Sequence, residues 1–524
     1  MTLPCRVEGV EALGEKKRSG KKRPALGGCR KGQRQRGAAV EPDRSHAHPS
    51  SKQTDDGQTE TTDGPGCEVD LSCTCQARLG RPSRRTAAVG LSFGIPLFGS
   101  EVTVVEETKT TLRPGRIVLL TGSSGTGKSS ALAQIDRHFA GACKVDRVSF
   151  PPAAAVVDHI APWASLSEAV GFMTCCGFSE PHLWVRRFQE LSDGEKFRAR
   201  LARAVALQAR TNSAAPLLCD EFCTGLHRRA AKAISFNLRK LVARRRLSLV
   251  LASCHDDVIS DLQPHVVIRL LGYGRCRVDE PKVHLNRPIS FHRRLRIEAG
   301  RKRDYEEFSG MHYRATDELG FVDKVFVMRD GRAGDLLGIV VYAHSPLELA
   351  LRNKATDGRF SRNPHLLNRC FRILRRLVIH PDVRGCGLGR RLVAETLPKV
   401  GTPYVECLAA MGAFNPVFER AGMQRVGQYA PSAKRLAALE KLRALGVDPS
   451  TRDFPLLVAR RRNVRAIVAG VVHAWYSATT AGGDVRVQRQ SPQFLAQTFR
   501  GLVGAQPVYY LWHRKRKTRT TKAA

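Results

Sequence analysis

A glycine-rich stretch at residues 122–129 has the composition of a phosphate-binding loop. It reads Gly-Ser-Ser-Gly-Thr-Gly-Lys-Ser and follows an apolar run at residues 117–120. In this Walker A pattern, backbone N–H groups surround the phosphates, the lysine meets the β and γ oxygens, and the last hydroxyl can ligate Mg²⁺. The predicted ATP contacts here are Gly122, Ser123, Ser124, Gly125, Thr126, Gly127, Lys128, Ser129 and Ser130.

Two adjacent carboxylates follow a second apolar run further along the chain. Asp220 and Glu221 come directly after residues 217–219, which is the layout of a Walker B strand. Asp220 is predicted to hold the magnesium shell together with Ser129. Glu221 is predicted to act as the general base on the water that attacks the γ-phosphate.

Residues 191–195, Leu-Ser-Asp-Gly-Glu, open a predicted helix between these two motifs. The serine, the glycine and the free N–H groups of a helix start form an anion site, which adds Ser192 and Gly194 to the predicted ATP contacts. At this point the chain resembles the ABC-type ATPases, whose signature Leu-Ser-Gly-Gly-Gln occupies the same place. His255, after the apolar run 247–253, matches the switch histidine of that superfamily.

The resemblance implies both a mechanism and an assembly. Lys128, Glu221 and His255 would be the catalytic residues, with His255 sensing the γ-phosphate. Because an ABC signature completes the nucleotide site of the facing subunit, one set of motifs per chain implies a head-to-tail homodimer with two shared ATP sites. Asp193 and Glu195 depart from the signature, and residues 224–227 lack the usual aspartate. No clear counterpart is evident for the glutamine that couples transporter ATPases to membrane subunits, although Asp158 or His159 could occupy its position. A transporter subunit therefore ranks last among the hypotheses.

A second glycine-rich turn, Arg-Gly-Cys-Gly-Leu-Gly at residues 384–389, follows a predicted strand at residues 371–379. Amides at such a turn can bind a pyrophosphate. The segment is similar to motif A of the GNAT acetyltransferases, and residues 415–423 resemble the helix that follows in that family. The resemblance implies an acetyl-CoA site that consists of Ile379, Val383, Arg384, Gly385, Gly387, Leu388, Gly389, Arg390 and Asn415.

Acetyl transfer to an amine would also need a base to accept a proton. The candidates are Glu406, Tyr404 and His312, and each is more readily explained as a structural residue. The sequence therefore supports acetyl-CoA binding better than turnover, and the amine acceptor is unknown.

The 524 residues exceed what one hydrophobic core can organise. The predicted fold class is an α/β P-loop NTPase domain of ABC type, followed by an α+β GNAT acyltransferase-like domain, with a disordered basic N-terminal tail. The predicted boundaries are 1–86 for the tail, 87–275 for the ATPase, 276–430 for the GNAT-like domain, and 431–524 for a helical region with a basic end. Together, the motifs resemble bacterial and phage proteins that fuse these two domains without membrane subunits.

The amino-acid composition indicates which kinds of molecule the protein can bind. Lys and Arg number 86 against 48 Asp and Glu, and a net charge of +38 favours polyanions. The first alternative is thus a nucleic-acid-associated ABC-type ATPase with a non-catalytic GNAT-fold module. Binding to a duplex that falls steeply with salt would distinguish it from the enzyme. No apolar run approaches the length needed to cross a bilayer, and no signal peptide is evident, so a cytoplasmic protein without membrane contact is expected.

Overall fold

The structure, a computed structural model, describes residues 66–76, 80–95, 97, 101–106, 108–139, 141–211, 215–311, 319–331, 334–479, 490–504 and 506–514. All of these belong to one unit of the chain, Thr62–Ala524. The candidate base His312 and most of the predicted N-terminal tail lie outside the described residues.

The α-helices are, in chain order, α1 (Arg84–Phe93), α2 (Lys128–His138), α3 (Val156–Ile160), α4 (Leu166–Cys175), α5 (Pro181–Trp184), α6 (Asp193–Thr211), α7 (Arg228–Arg245), α8 (Ile259–Leu262), α9 (Glu306–Ser309), α10 (Ala350–Ala355), α11 (Pro364–Cys370), α12 (Leu388–Thr396), α13 (Val417–Arg420), α14 (Ala433–Ala444), α15 (Phe454–Arg460), α16 (Arg462–Thr479) and α17 (Pro492–Gly504). Among the described residues, none of these helices has both the length and the apolar character that a bilayer crossing requires.

The β-strands are, in chain order, β1 (Cys67–Asp70), β2 (Cys73–Gln76), β3 (Glu101–Val105), β4 (Lys109–Leu112), β5 (Ile117–Thr121), β6 (Cys143–Lys144), β7 (Leu217–Cys219), β8 (Leu249–Ser253), β9 (Val266–Gly272), β10 (Arg275–Asp279), β11 (Leu295–Ala299), β12 (Val322–Asp330), β13 (Leu336–His344), β14 (Phe371–Ile379), β15 (Tyr404–Ala409), β16 (Gln424–Gln428) and β17 (Val508–His513).

The first large sheet has the strand order β10-β9-β5-β8-β7-β6 and is parallel except for β10. Every residue of β5 and β8 is buried. Strands of this kind, apolar on both faces, belong to parallel sheets that helices cover on both sides. The α/β architecture predicted for this part of the chain is therefore observed. The boundary predicted at residue 275 is wrong by a few residues, because β10 pairs with β9 as far as Asp279.

The predicted end of the N-terminal tail, residue 86, lies later in the chain than the first folded residues. Strand β1 pairs with β4, and β2 pairs with β3, so residues 67–76 are part of the folded unit rather than of a disordered tail. Val69, Leu71 and Cys73 pack into the same core as Leu120 of β5. These three core residues alternate with polar residues, so average composition does not indicate the strand pattern.

The second large sheet has the order β11-β12-β13-β14-β15-β17-β16. Strands β14 and β15 run parallel, but they pair only from Phe371↔Tyr404 to Leu374↔Cys407. Beyond that register, β14 continues to Ile379 without β15 as a neighbour. The two strands therefore separate towards their carboxyl ends, and α12 begins beside the gap. This part is α+β, as the sequence predicts.

The C-terminal region is only partly the helical appendage that the sequence predicts. Helices α14 to α17 share a core of their own, which includes Leu442, Phe454 and Phe499. Strand β17 then returns to the second sheet and lies between β15 and β16. The boundary at residue 430 is thus wrong for β17, because a strand pairs with partners that are about 100 residues distant in sequence and leave no local signal.

Candidate functional site

The loop from Thr121 at the end of β5 to Lys128 at the start of α2 has the backbone of a phosphate cradle. Gly122, Gly125 and Gly127 all have positive φ, at +151°, +82° and +95°. A Cβ on Gly122 would lie 2.3 Å from the carbonyl oxygen of Leu270, and one on Gly127 would lie 2.0 Å from a methyl of Val104. The backbone conformation thus favours glycine at all three positions, and close packing adds to this requirement at Gly122 and Gly127.

The side chain of Lys128 lies across this loop. Its ammonium donates to the carbonyl oxygens of Gly122 at 2.8 Å and Ser123 at 2.6 Å. Thr126 donates its hydroxyl to the same Ser123 carbonyl at 2.9 Å. Ser123, Ser124, Gly125 and Ser129 are exposed, so the concave side of the loop is open to a ligand. Positive charge and free helix N–H groups therefore converge on one exposed turn.

The predicted carboxylates and the histidine lie at the same edge of the sheet as this loop. One strand, β8, separates β5 from β7, and all three run parallel. Asp220 and Glu221 follow β7, and His255 follows β8. Because parallel strands bring their carboxyl ends to one edge, the structure groups the three predicted catalytic residues there.

Hydrogen bonds join the segments that carry Glu221 and His255. The Phe222 N–H donates to the Ala252 carbonyl at 2.7 Å, and the Ser253 hydroxyl donates to the Phe222 carbonyl at 3.2 Å. The His255 N–H in turn donates to the Ser253 hydroxyl at 3.2 Å. Glu221 has a φ of +49°, which directs the chain sharply away from β7. Its side chain is exposed. The positions of acid and histidine are therefore coupled through Ser253.

The magnesium ligands predicted from sequence fit that role by their chemistry. Asp220 is half-buried, and one carboxylate oxygen accepts the Glu221 N–H at 2.9 Å, which leaves the other oxygen free of this bond. Within the described ranges, no three His, Cys, Asp or Glu side chains gather into a metal site of their own. A hydroxyl and one carboxylate suit a magnesium ion that arrives with a nucleotide.

The sequence analysis missed two acidic residues beside His255. Asp256 accepts hydrogen bonds from Thr121 and Arg269, and Asp257 pairs with Arg228. Burial opposes ionisation of Asp256, but these donors outweigh it and hold the pKa of that carboxyl below its usual value. The adjacent acids were visible in the sequence, but their basic partners come from distant segments.

The signature-like segment begins α6. Glu195 accepts the Ser192 N–H at 2.8 Å, which caps the helix, and the Ser192 carbonyl accepts from Lys196. Asp193 is fully exposed and pairs with Lys196 at 3.6 Å, so its charge faces solvent. Across the described part of the chain, no hydrogen bond joins Ser192 or Gly194 to residues 122–130. The structure thus places these two predicted contacts on an exposed helix start.

Alanine substitutions at two glycines of the loop are expected to have unequal effects. Gly122→Ala would force a Cβ against the backbone of Leu270 and should abolish ATP binding or destabilise the protein. At Gly125 a Cβ meets nothing within 4 Å, so Gly125→Ala should cost only about 1–2 kcal/mol of backbone strain. Calorimetric titration with ATP and thermal unfolding of both variants measure the difference. Equal losses in the two variants would contradict the proposed close packing.

The second glycine turn opens into a cavity of about 1160 Å³. Gly385 and Gly387 have φ of +83° and +80°, and α12 begins at the next residue. The cavity lies where β14 and β15 separate, and all the residues of the predicted acetyl-CoA site line it, namely Ile379, Val383, Arg384, Gly385, Gly387, Leu388, Gly389, Arg390 and Asn415. The structure therefore brings this predicted set together.

Arg384 does not offer its side chain to a ligand. Its guanidinium donates to the carbonyl oxygens of Ile379 at 2.9 Å, Ser179 at 2.8 Å and Met311 at 3.0 Å. Burial lowers the pKa of the Arg384 guanidinium, and the nearby Glu180 carboxylate offsets part of this effect. Arg384 instead joins three segments, and any contact with a cofactor must come from its backbone.

Two of the candidate bases lie away from the cavity. Glu406 is fully buried, pairs with the equally buried Arg352 at 3.1 Å, and accepts the Tyr509 hydroxyl at 2.8 Å. Tyr404 stacks on Phe371 at 4.7 Å. Neither residue lines the cavity, although their neighbours Cys407 and Leu408 do. Both are structural in the described fold.

Helix α7, which connects β7 and β8 of the first large sheet, also forms part of this site. The sequence did not indicate this contribution. Asn237 donates to the Arg384 carbonyl at 3.2 Å. Ala233 and Phe236 pack in one cluster with Val383 and Cys386. An ion pair adds to these contacts: Arg229 of α7 pairs with Asp335, which directly precedes β13, at 2.6 Å. The glycine turn is therefore seated on the helix that follows the Asp220–Glu221 segment.

Comparison with known proteins gives solved structures only; no protein-family model and no curated protein matches the chain. It is similar to the dimeric structure of MJ0796, a bacterial ABC transporter cassette, at 15% identity over 42% of this chain and 100% of that chain, with a TM-score of 0.31. It is similar to a nucleotide-free ATP-binding cassette from an ABC transporter at 14% identity over 41% and 92% of the two chains, with a TM-score of 0.29. It is also similar to cbiO1 from Clostridium perfringens, part of the ABC transporter complex cbiONQ, at 17% identity over 34% and 82%, with a TM-score of 0.27.

Proposed function

We propose that the chain is an ABC-type ATPase that binds and hydrolyses ATP with Mg²⁺. The observation that carries the proposal is the grouping of the Lys128 loop, the Asp220–Glu221 pair and His255 at the ends of three adjacent parallel strands. Each supplies one requirement of phosphoryl transfer to water: charge neutralisation, a base and a contact to the γ-phosphate.

The residues divide this work by position. Lys128 and the N–H groups at the start of α2 bind the β- and γ-phosphates, and Ser129 and Asp220 would hold Mg²⁺, which neutralises phosphate charge when bound. Glu221 accepts a proton from the attacking water. His255 senses the γ-phosphate, and its position is tied to the Glu221 segment through Ser253.

The proposed assembly is a head-to-tail homodimer. Ser192 and Gly194 begin α6 without a hydrogen bond to the loop of their own chain in the described residues. Ser192 is exposed, so the helix start is available to a second copy. Two copies related by twofold symmetry would each complete the nucleotide site of the other.

The proposed second ligand is acetyl-CoA, bound in the cavity between β14 and β15. The turn at Gly385 and Gly387 offers amides to a diphosphate, and the separated strands leave room for an extended tail. Acetyl transfer to an amine is the reaction that a GNAT-like fold suggests, but Glu406 and Tyr404 do not reach the cavity. The proposal therefore assigns cofactor binding to the described residues and leaves the base unassigned.

Helix α7 is the proposed link between the two sites. Near its start, Arg228 donates to the Cys223 carbonyl at 3.2 Å, two residues after Glu221. Further along, the same helix holds the glycine turn through Asn237. A helix moves as one element, so a nucleotide that displaces its start also displaces the turn. ATP would in this way shift the population of turn conformations.

Calorimetric titrations with ATP and acetyl-CoA test both assignments on the wild type, Lys128→Ala and Gly387→Glu. Gly387 has open space around its Cβ position and a φ of +80°, so glutamate there adds charge and bulk to the turn and strains its backbone, without a steric clash. We expect Lys128→Ala to lose ATP alone and Gly387→Glu to lose acetyl-CoA alone. Full acetyl-CoA affinity in Gly387→Glu would contradict the second assignment, and full ATP affinity in Lys128→Ala the first.

A further inference from the structure

The cavity at the glycine turn has a second wall that belongs to the nucleotide-binding part of the chain. Helix α4 contributes Thr174 and Cys175, and α7 contributes Phe236, Lys240 and Arg244. Strand β14, the glycine turn and α12 also line the cavity, together with other segments such as residues 285–289 and 407–411. A ligand that fills this cavity would therefore touch both parts of the protein.

This cavity carries a strong positive charge. The Lys and Arg residues that line it are Lys240, Arg244, Arg287, Arg375, Arg376, Arg384, Arg390, Arg391 and Arg420, whereas Glu395 is the one acid among its lining residues. Glu395 already pairs with Arg391 at 2.7 Å. Charge of one sign in a concave, partly desolvated site attracts an oppositely charged ligand.

Lys240 and Arg244 are the cations that α7 adds. The Lys240 ammonium lies 4.1 Å from the centre of the Phe236 ring. Within the described part of the chain, neither side chain forms an ion pair with a carboxylate. Burial lowers the pKa of Lys240, and the nearby cations Arg239, Arg244 and Arg390 lower it further. Such crowding is unfavourable unless an anion binds among these groups.

We propose that Lys240 and Arg244 bind a phosphate group at the nucleotide end of the cavity ligand, so that the nucleotide-binding part supplies half of the cofactor site. This inference rests on the proposed binding of acetyl-CoA. The glycine turn would bind the diphosphate of that cofactor. Lys240 and Arg244 would bind its remaining phosphate, the one on the ribose. Arg390, one residue after the turn's last glycine, lines the same cavity.

Calorimetric titrations with CoA and 3′-dephospho-CoA on the full chain test the proposal. The two compounds differ only in the ribose phosphate. We expect the wild type to bind CoA about 10-fold more tightly, as a charge-assisted contact of roughly 1.4 kcal/mol implies. In Lys240→Ala with Arg244→Ala, this preference should fall to about 2-fold or less, while the affinity for dephospho-CoA stays nearly the same.

Arg245→Ala is the matched control. Arg245 carries the same charge on the same helix but pairs with Glu168 at 3.3 Å and does not line the cavity. It should retain the full preference for CoA. Titration with ATP shows that the double variant is folded. Equal binding of both compounds to the wild type, or an intact preference in the double variant, overturns the α7 contact alone. Absence of binding of either compound to the wild type overturns the acetyl-CoA proposal as well.

Discussion

Glu221→Gln is expected to bind ATP normally and to hydrolyse it about 10²–10⁴-fold more slowly than the wild type. Glutamine matches the shape of glutamate but cannot accept a proton from the attacking water. The exposed position of residue 221 makes this exchange neutral for folding. Phosphate release measures the loss of hydrolysis. Light scattering should show an ATP-dependent dimer that accumulates because the nucleotide is not consumed.

Two further variants serve as controls for this result. Lys128→Ala should neither bind ATP nor dimerise. Glu168→Gln removes a surface carboxylate that pairs with Arg245, and it should hydrolyse ATP at the wild-type rate. If Glu221→Gln keeps at least a third of wild-type hydrolysis, Glu221 is not the base. If no dimer forms in the presence of ATP, the shared-site assembly is wrong.

Glu406→Gln is expected to destabilise the protein by about 3–5 kcal/mol. The substitution leaves the Arg352 guanidinium charged and without its carboxylate partner, at a position where both side chains are 0% exposed. The two carbonyl oxygens that Arg352 also contacts, those of Pro346 and Leu347, cannot neutralise its charge. Urea denaturation gives the free energy of unfolding.

A double variant separates lost charge balance from lost packing. Arg352→Met with Glu406→Leu removes both charges at once and should recover most of the stability, because no buried ion remains alone. A cost below about 1 kcal/mol for Glu406→Gln would contradict the structural role of the pair.

Local sequence pattern was sufficient for one central strand. Phe371–Ile379 has the bounds that the sequence predicts, although three arginines interrupt its apolar residues. The phosphate loop was equally predictable, because glycine spacing, lysine and hydroxyl are encoded within eight residues. Chemistry that depends on a continuous segment can be found in the sequence.

Features that depend on distant contacts could not be predicted in this way. Nothing near Arg384 shows that its guanidinium would bind the carbonyl oxygen of Ser179, about 200 residues earlier in the chain. The pairing of β17 with β15 and the position of Lys240 at the cavity beside the second glycine turn are of the same kind. The fold determines these contacts, and no sequence motif indicates that α7 lies beside the second glycine turn.

One chain is proposed to bind two phosphorylated ligands at two separate glycine turns. Native mass spectrometry of the wild type with a non-hydrolysable ATP analogue and acetyl-CoA tests this directly. We expect each chain to carry one molecule of each compound at the same time. Competition, in which each added molecule of one compound displaces a molecule of the other, would contradict the claim.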